Sequence, residues 1–170
     1  MAETVILALG SNQGDRFQYL QSAIKSLDTF MDIHDVSSVY ETSPFEMEAE
    51  QDFLNLCLLG KTELKPHSLL EECKKIESAN GRTKDPEKSG YQSRPIDIDI
   101  LFYGDQIITT DELVIPHPEL TKRNFVLNPL NEIAPDYLHP LLKKPASALL
   151  TELADESKIE RLAQQIHRNK

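Results

Sequence analysis

Apolar residues along the chain fall into short runs of two periodicities. Residues 4–9 (TVILAL) form an unbroken apolar run ending at Gly10-Ser11-Asn12-Gln13-Gly14, which predicts a strand buried on both faces and then a loop. Phe17, Leu20, Ile24, Leu27 and Met31 follow at helical spacing, with Asp15 placed to cap the helix they predict. β-Branched residues and Tyr40 mark residues 33–42 as a second strand, and residues 53–59 read as a third. A period of two sends Phe53, Asn55 and Cys57 to one face of that third strand and Leu54, Leu56 and Leu58 to the other. Pro66 suits the first turn of a helix whose stripe is Leu69, Leu70, Cys73 and Ile76, with Gly81 as its stop. Residues 82–95 have no apolar periodicity and predict a loop. Residues 96–103 (IDIDILFY) predict a strand, and Gly104-Asp105 a hairpin turn into residues 106–108. Beyond Pro116 the chain is proline-rich and irregular until helical patterns return at 146–153 and at Ile159, Leu162, Ala163 and Ile166. The order β-α-β-β-α-β predicts an α+β sandwich of ferredoxin-like type, with additional C-terminal helices over 145–168. With no repeat or linker, residues 1–170 are expected to form one domain.

Charge narrows the classes of partner. Lys and Arg number 18 against 28 Asp and Glu, a net charge of −10. That balance argues against nucleic acid, whose binding needs a positive surface to displace counterions. No apolar run approaches the roughly 20 residues of a membrane span, and no basic region precedes the first apolar run, so no membrane association and a cytoplasmic location are expected. Cys57 and Cys73 lie among apolar residues outside any CxxC pattern and are expected to be buried thiols. The charge is uneven, however. Residues 41–52 carry Glu41, Glu46, Glu48, Glu50 and Asp52 with no Lys or Arg, around Pro44, and read as an exposed loop. Residues 81–94 carry Arg82, Lys84, Lys88 and Arg94 against Asp85 and Glu87, a local excess of positive charge.

That basic run leads directly into Ile96-Asp97-Ile98-Asp99-Ile100. On a strand, Asp97 and Asp99 point to one face and the three isoleucines to the other. Paired carboxylates repel unless cations or water lie between them. They read either as a solvent-facing polar alternation or as oxygen ligands for Mg²⁺, which takes few protein carboxylates and completes its shell with water and phosphate. Arg and Lys beside such a pair can clamp the oxygens of a polyphosphate. Neither a Walker loop nor a GxGxxG fingerprint occurs, so a nucleotide would need another architecture. His117, between Pro116 and Pro118, reads as a turn residue, a general base or a zinc ligand. The other histidines have no ligand spacing, which disfavours zinc.

Several motifs occur together and in order: Gly10-Ser-Asn12, Tyr40-x-Thr-Ser-Pro44, Asp52-Phe-Leu-Asn55, Glu77-x-x-x-Gly-Arg82, Arg94-Pro-Ile-Asp-Ile-Asp-Ile100, Ile115-Pro-His-Pro118, Arg123-x-Phe125 and Pro129-Leu130. Over residues 4–140 the chain resembles the 6-hydroxymethyl-7,8-dihydropterin pyrophosphokinases of folate biosynthesis. The resemblance implies transfer of the terminal two phosphates of ATP, as one unit, to the pterin's hydroxymethyl group, with AMP as the other product. It implies ATP and the pterin as partners, a monomer, and two Mg²⁺ ions held by Asp97 and Asp99. Arg82 and Arg94 match loop arginines that reach the phosphates, with Lys84 as a further basic position. His117, Arg123 and Glu77 match residues on the ATP side, and Ile100 and Leu113 match apolar contacts to adenine. The pterin side falls on Thr42, Ser43, Phe45, Phe53, Asn55 and Phe125, with Asp97 beside it. Aromatic stacking and amide hydrogen bonds suit a flat heterocycle edged with donors and acceptors. The chain departs from the family in having no Trp, with Tyr91 as the stand-in in a loop about two residues longer, and in having Phe53 where Tyr is frequent. A phosphohydrolase using the same carboxylates on water, or a nucleotide sensor without turnover, has no need of aromatics at 45, 53 and 125.

Overall fold

A computed structural model describes residues 2–42, 52–80, 95–154, 158–164 and 166. Five main strands form one antiparallel sheet in the order β5-β1-β4-β3-β8, and β2 also pairs with β4. The long members are β1 (Glu3–Ser11), β4 (Phe53–Thr62) and β5 (Asp97–Tyr103); the short ones are β2 (Asp32–Val36), β3 (Tyr40–Thr42) and β8 (Ile159–Arg161). Helices α1 (Arg16–Leu27) and α2 (Pro66–Ala79) cover one face, as the ferredoxin-like reading requires. That face carries Val5, Leu7, Leu9, Leu54, Leu56, Leu58, Ile98 and Ile100, all in one buried cluster with Leu20, Leu27 and Leu69. Asp15 caps α1 by accepting from the Gln18 N–H at 3.2 Å, and Pro66 opens α2.

The other face is also covered, which is why residues 4–9 are apolar without alternation. Ile6, Cys57, Leu101 and Phe102 pack beneath α3 (Asn124–Ile133) and α4 (Ala146–Glu152), against Val126, Leu127, Leu130, Ala146 and Leu149. Both cysteines are buried and unbridged. Burial pushes both thiols up, Cys73 to about 12, with the nearby Glu77 and Asp99 carboxylates adding to the effect there.

Four expectations require correction. The single strand expected over 33–42 is divided into β2 and β3, because Ser37 turns its bonds onto Cys57: its N–H donates to the Cys57 carbonyl (2.9 Å) and its hydroxyl accepts from the Cys57 N–H (2.9 Å). Residues 106–108 do not fold back on β5; Ile108 and Thr109 form β6 (Ile108–Thr109), which pairs with β7 (Val114–Ile115). The irregular stretch after Pro116 contains α3, which tolerates Pro129 because its packing against β4 offsets one lost backbone bond. The C-terminal helical pattern is right for α4 but not for residues 159–161, which form β8 by pairing with β3. Gly81 lies outside the described residues, and α2 closes on Asn80, whose side-chain amide donates to the Ile76 carbonyl at 2.7 Å. No helix among the described residues is long and apolar enough to cross a membrane.

Candidate active site

Cross-strand register builds the site. Asp97 on β5 stands opposite Gly10 on β1, Gly10 opposite Asn55 on β4, and Asn55 opposite Tyr40 on β3. Directly opposed residues share a face, so Asp97, Gly10, Asn55 and Tyr40 form one row on the α3 side of the sheet. The neighbouring row runs from Asp99 to Ala8 to Cys57. Both aspartates are half-buried, whereas Ile98 and Ile100 turn into the core on the opposite face. Between the carboxylates and Asn55 the floor is Gly10 and Ala8, nearly free of side chains. A Cβ on Gly10 would meet the Asn55 Oδ1 at 2.8 Å.

Asn55 is itself positioned, since its amide donates to the Thr42 hydroxyl at 3.2 Å and both residues are buried. Thr42 stands opposite Phe53 in the β3–β4 pairing. Arg16 ties the ends of these two strands together, with its Nη1 donating to Glu41 Oε2 and to the Asp52 carbonyl, each at 2.7 Å. Pattern alone assigned no role to Arg16; its signal was a cation one residue past a helix cap, ahead of an acidic segment.

β5 is an edge strand, and its outer backbone groups are satisfied by residues of the site. Glu77, on α2, is buried, and its Oε2 accepts from the Ile98 N–H at 2.8 Å. The His117 N–H donates to the Leu101 carbonyl at 3.0 Å. The segment bearing His117 follows a cis Ile115–Pro116 bond. The His117 Nδ1 accepts from the Glu119 N–H at 3.1 Å, which assigns the neutral ring's proton to Nε2, 3.9 Å from Asp99 Oδ2. Burial, and then the Arg123 guanidinium, lower the pKa of His117, while Asp97 and Glu119 oppose them. Arg123 lies 5.5 Å above the Phe125 ring, at the start of α3.

The described residues thus bring Asp97, Asp99, His117, Arg123, Phe125, Thr42, Phe53 and Asn55 to the α3 side and its margins. Ile100 and Leu113 lie together in the core cluster behind the sheet, 4% and 7% exposed. Ser43, Phe45, Arg82, Lys84, Tyr91 and Arg94 lie outside the described residues.

The donor set suits a hard cation. Two carboxylates share a face over a floor without bulk, and among the described residues no group of three His, Cys, Asp or Glu is gathered to hold a metal ion; the neighbouring His117 turns its protonated Nε2, not a lone pair, toward Asp99 at 3.9 Å. A cation there would draw its remaining ligands from water or a phosphate, which is how Mg²⁺ is usually held, whereas a softer metal would want imidazole or thiolate.

Comparison with known proteins agrees with this architecture. Residues 6–135 match the family described as 7,8-dihydro-6-hydroxymethylpterin-pyrophosphokinase. The 2-amino-4-hydroxy-6-hydroxymethyldihydropteridine pyrophosphokinase of Aquifex aeolicus is 46% identical over 142 residues, spanning 84% of this chain and 87% of that one. The protein of the same name from Porphyromonas gingivalis is 40% identical over 143 residues, or 83% of this chain and 97% of its own. A folate synthesis bifunctional protein of Arabidopsis thaliana is 42% identical, and the match covers 27% of its length. Among solved structures, the wild-type HPPK-DHPS of Plasmodium falciparum with pteroate superposes with a TM-score of 0.72 over 89% of this chain and 42% of that one. Its 20% identity supports likeness of fold.

Proposed function

The chain belongs to the 7,8-dihydro-6-hydroxymethylpterin-pyrophosphokinase family and is an ATP-using pyrophosphokinase of folate biosynthesis, and from that premise we propose how its residues divide the work. The hydroxymethyl oxygen of the pterin attacks the β-phosphorus of ATP. The new bond joins that oxygen to phosphorus, the α–β bridge breaks, AMP leaves with the bridging oxygen, and the hydroxyl proton is lost. Asp97 and Asp99 hold two Mg²⁺ ions, which when bound neutralise the triphosphate and lower the hydroxyl's pKa. Support comes from the paired carboxylates over a bare floor.

Thr42, Asn55 and Phe53 take the pterin edge, with Ser43, and Phe45 and Phe125 form the stacking slot. Asp97 is assigned to the pterin side of the pair because it shares a row with Asn55. Arg82, Lys84, Arg94, His117 and Arg123 take the phosphates, a reading supported by the basic run before β5. Glu77 acts on the ATP side by fixing the β5 edge through Ile98, and Ile100 and Leu113, buried in the core cluster, are assigned to the apolar wall that backs the adenine place. The enzyme is read as a cytoplasmic monomer, which fractionation and light scattering test.

The observation that carries the proposal is the row Asp97–Gly10–Asn55, which puts a carboxylate and an amide on either side of a side-chain-free floor. Incubation with Mg-ATP and the reduced pterin alcohol should yield AMP and pterin diphosphate in equal amounts. ADP, or orthophosphate released without the pterin, would refute it, and chelation with EDTA should stop the reaction.

A further inference from the structure

The C-terminal strand β8 lies beyond the residues matched to the family, which end at 135. It flanks β3, the strand that carries Thr42. Its register sets Arg161 opposite Tyr40 and Ile159 opposite Thr42, and the Leu162 N–H extends the ladder to the Val39 carbonyl at 2.8 Å. β3 has only three residues and few backbone bonds of its own, so its position depends on β4 and β8, the strands on its two edges.

The contacts of Arg161 reach further than this ladder. Its Nε donates to the Ser38 hydroxyl at 2.9 Å, and its Nη2 stands 3.7 Å from Glu132 Oε2. Glu132 in turn accepts from the Tyr40 hydroxyl (2.7 Å), the Ser38 N–H (2.9 Å) and the Ser38 hydroxyl (3.1 Å). Glu132 belongs to α3, about two turns beyond Phe125. One carboxylate therefore joins the helix bearing Phe125 to the strand bearing Thr42, and Arg161 brings a guanidinium to that junction.

We propose that β8, acting through Arg161, is a positioning element of the pterin slot: it sets Thr42 and Asn55 against Phe125 without touching substrate. The proposal rests on the assignment of those three residues to the pterin. A shift of β3 would move the Thr42 hydroxyl away from the Asn55 amide, whereas Asp97 and Asp99 lie on the edge strand β5, with β1 and β4 between it and β3, and His117 is bonded to that same strand. Loss of Arg161 should thus weaken pterin recognition and spare ATP.

The test uses the full chain with Arg161→Gln, Arg161→Lys and Ser38→Ala, and Asn55→Ala as a reference. Thermal melting establishes that each is folded, and KM for each substrate and kcat are measured separately. Arg161→Gln and Ser38→Ala should raise the pterin KM about threefold to tenfold, as expected for one charged hydrogen bond lost from a positioning network. The KM for ATP and kcat should stay within about twofold, and Arg161→Lys should recover part of the loss because its ammonium still reaches Glu132. An unchanged pterin KM in Arg161→Gln overturns the proposal, as does a parallel loss in both KM values and kcat. If Asn55→Ala raises the pterin KM while Arg161→Gln does not, the positioning role alone fails. If Asn55→Ala has no effect either, the pterin assignment has failed with it.

Discussion

Replacing Gly10 by alanine puts a methyl carbon 2.8 Å from the Asn55 Oδ1. Ordinary C···O approaches begin near 3.3 Å, so the amide must retreat by about half an ångström. The other neighbours, the Leu54 carbonyl at 3.7 Å and Phe53 Cδ1 at 3.8 Å, already lie at ordinary contact distance, so the backbone need not move. Asn55 cannot retreat without cost, because it is 7% exposed and its amide is held by Thr42. An off-rotamer side chain costs roughly 0.5–1.5 kcal/mol, and weakening the bond to Thr42 up to about another 1 kcal/mol. The lower backbone entropy of alanine returns about 0.5–1 kcal/mol. Net stability should therefore fall by only about 1 kcal/mol. Pterin recognition should suffer more visibly. Misplacing one amide that meets the heterocycle should raise the pterin KM about fivefold to tenfold. Urea melts give the first quantity, and steady-state kinetics with each substrate varied give the second. A folded Gly10→Ala enzyme with an unchanged pterin KM would refute the reasoning, as would an equal rise in the KM for ATP.

Other perturbations test the remaining parts of the site. Asp97→Asn and Asp99→Asn should each abolish most turnover while the variants still melt as folded proteins; near-normal rates in both would end the metal-pair assignment. Glu77→Ala leaves the Ile98 N–H without its acceptor at the sheet edge and should cost about 1–3 kcal/mol in urea melts, with Glu77→Gln restoring most of it. His139 is buried and its Nδ1 accepts from the Leu141 and Leu142 N–H groups at 3.2 and 3.1 Å; burial lowers its pKa. The unfolded chain therefore binds the proton first, and stability should begin to fall as pH drops through about 6.5 and level off below the folded pKa. His139→Asn should flatten that part of the stability–pH curve, and an unchanged slope would remove His139 as its source.

Much of this protein is determined by local pattern alone. The alternation over 53–58 assigned the two faces of β4 correctly, and the Ile-Asp-Ile-Asp-Ile run put both carboxylates opposite the core, because side-chain direction in a strand depends only on residue parity. Burial of Cys57 and Cys73 followed from apolar neighbours, and the cap at Asp15 and the helix start at Pro66 from chemistry within one helical turn. The motifs carried the family, since they name residue types at fixed spacing.

The arrangement of distant residues was not legible. α3 resisted a reading from periodicity because Pro129 interrupts its backbone bonds and because its position is fixed by contact with β4 and α4. β8 is three residues long with only one partly buried side chain, so nothing in its pattern distinguishes it from a helix; pairing with β3 decides it. Glu77 looks like a surface residue until β5 is set beside α2, and Glu132 is separated from Tyr40 and Ser38 by 92 and 94 positions. Such contacts depend on how strands order across the sheet, and strand order is an energy of the whole chain. The sequence thus determined which residues carry the chemistry and which way each strand turns them. Only the tertiary structure decided that Gly10 is the floor between Asp97 and Asn55, and that the last strand braces the edge where Thr42 stands.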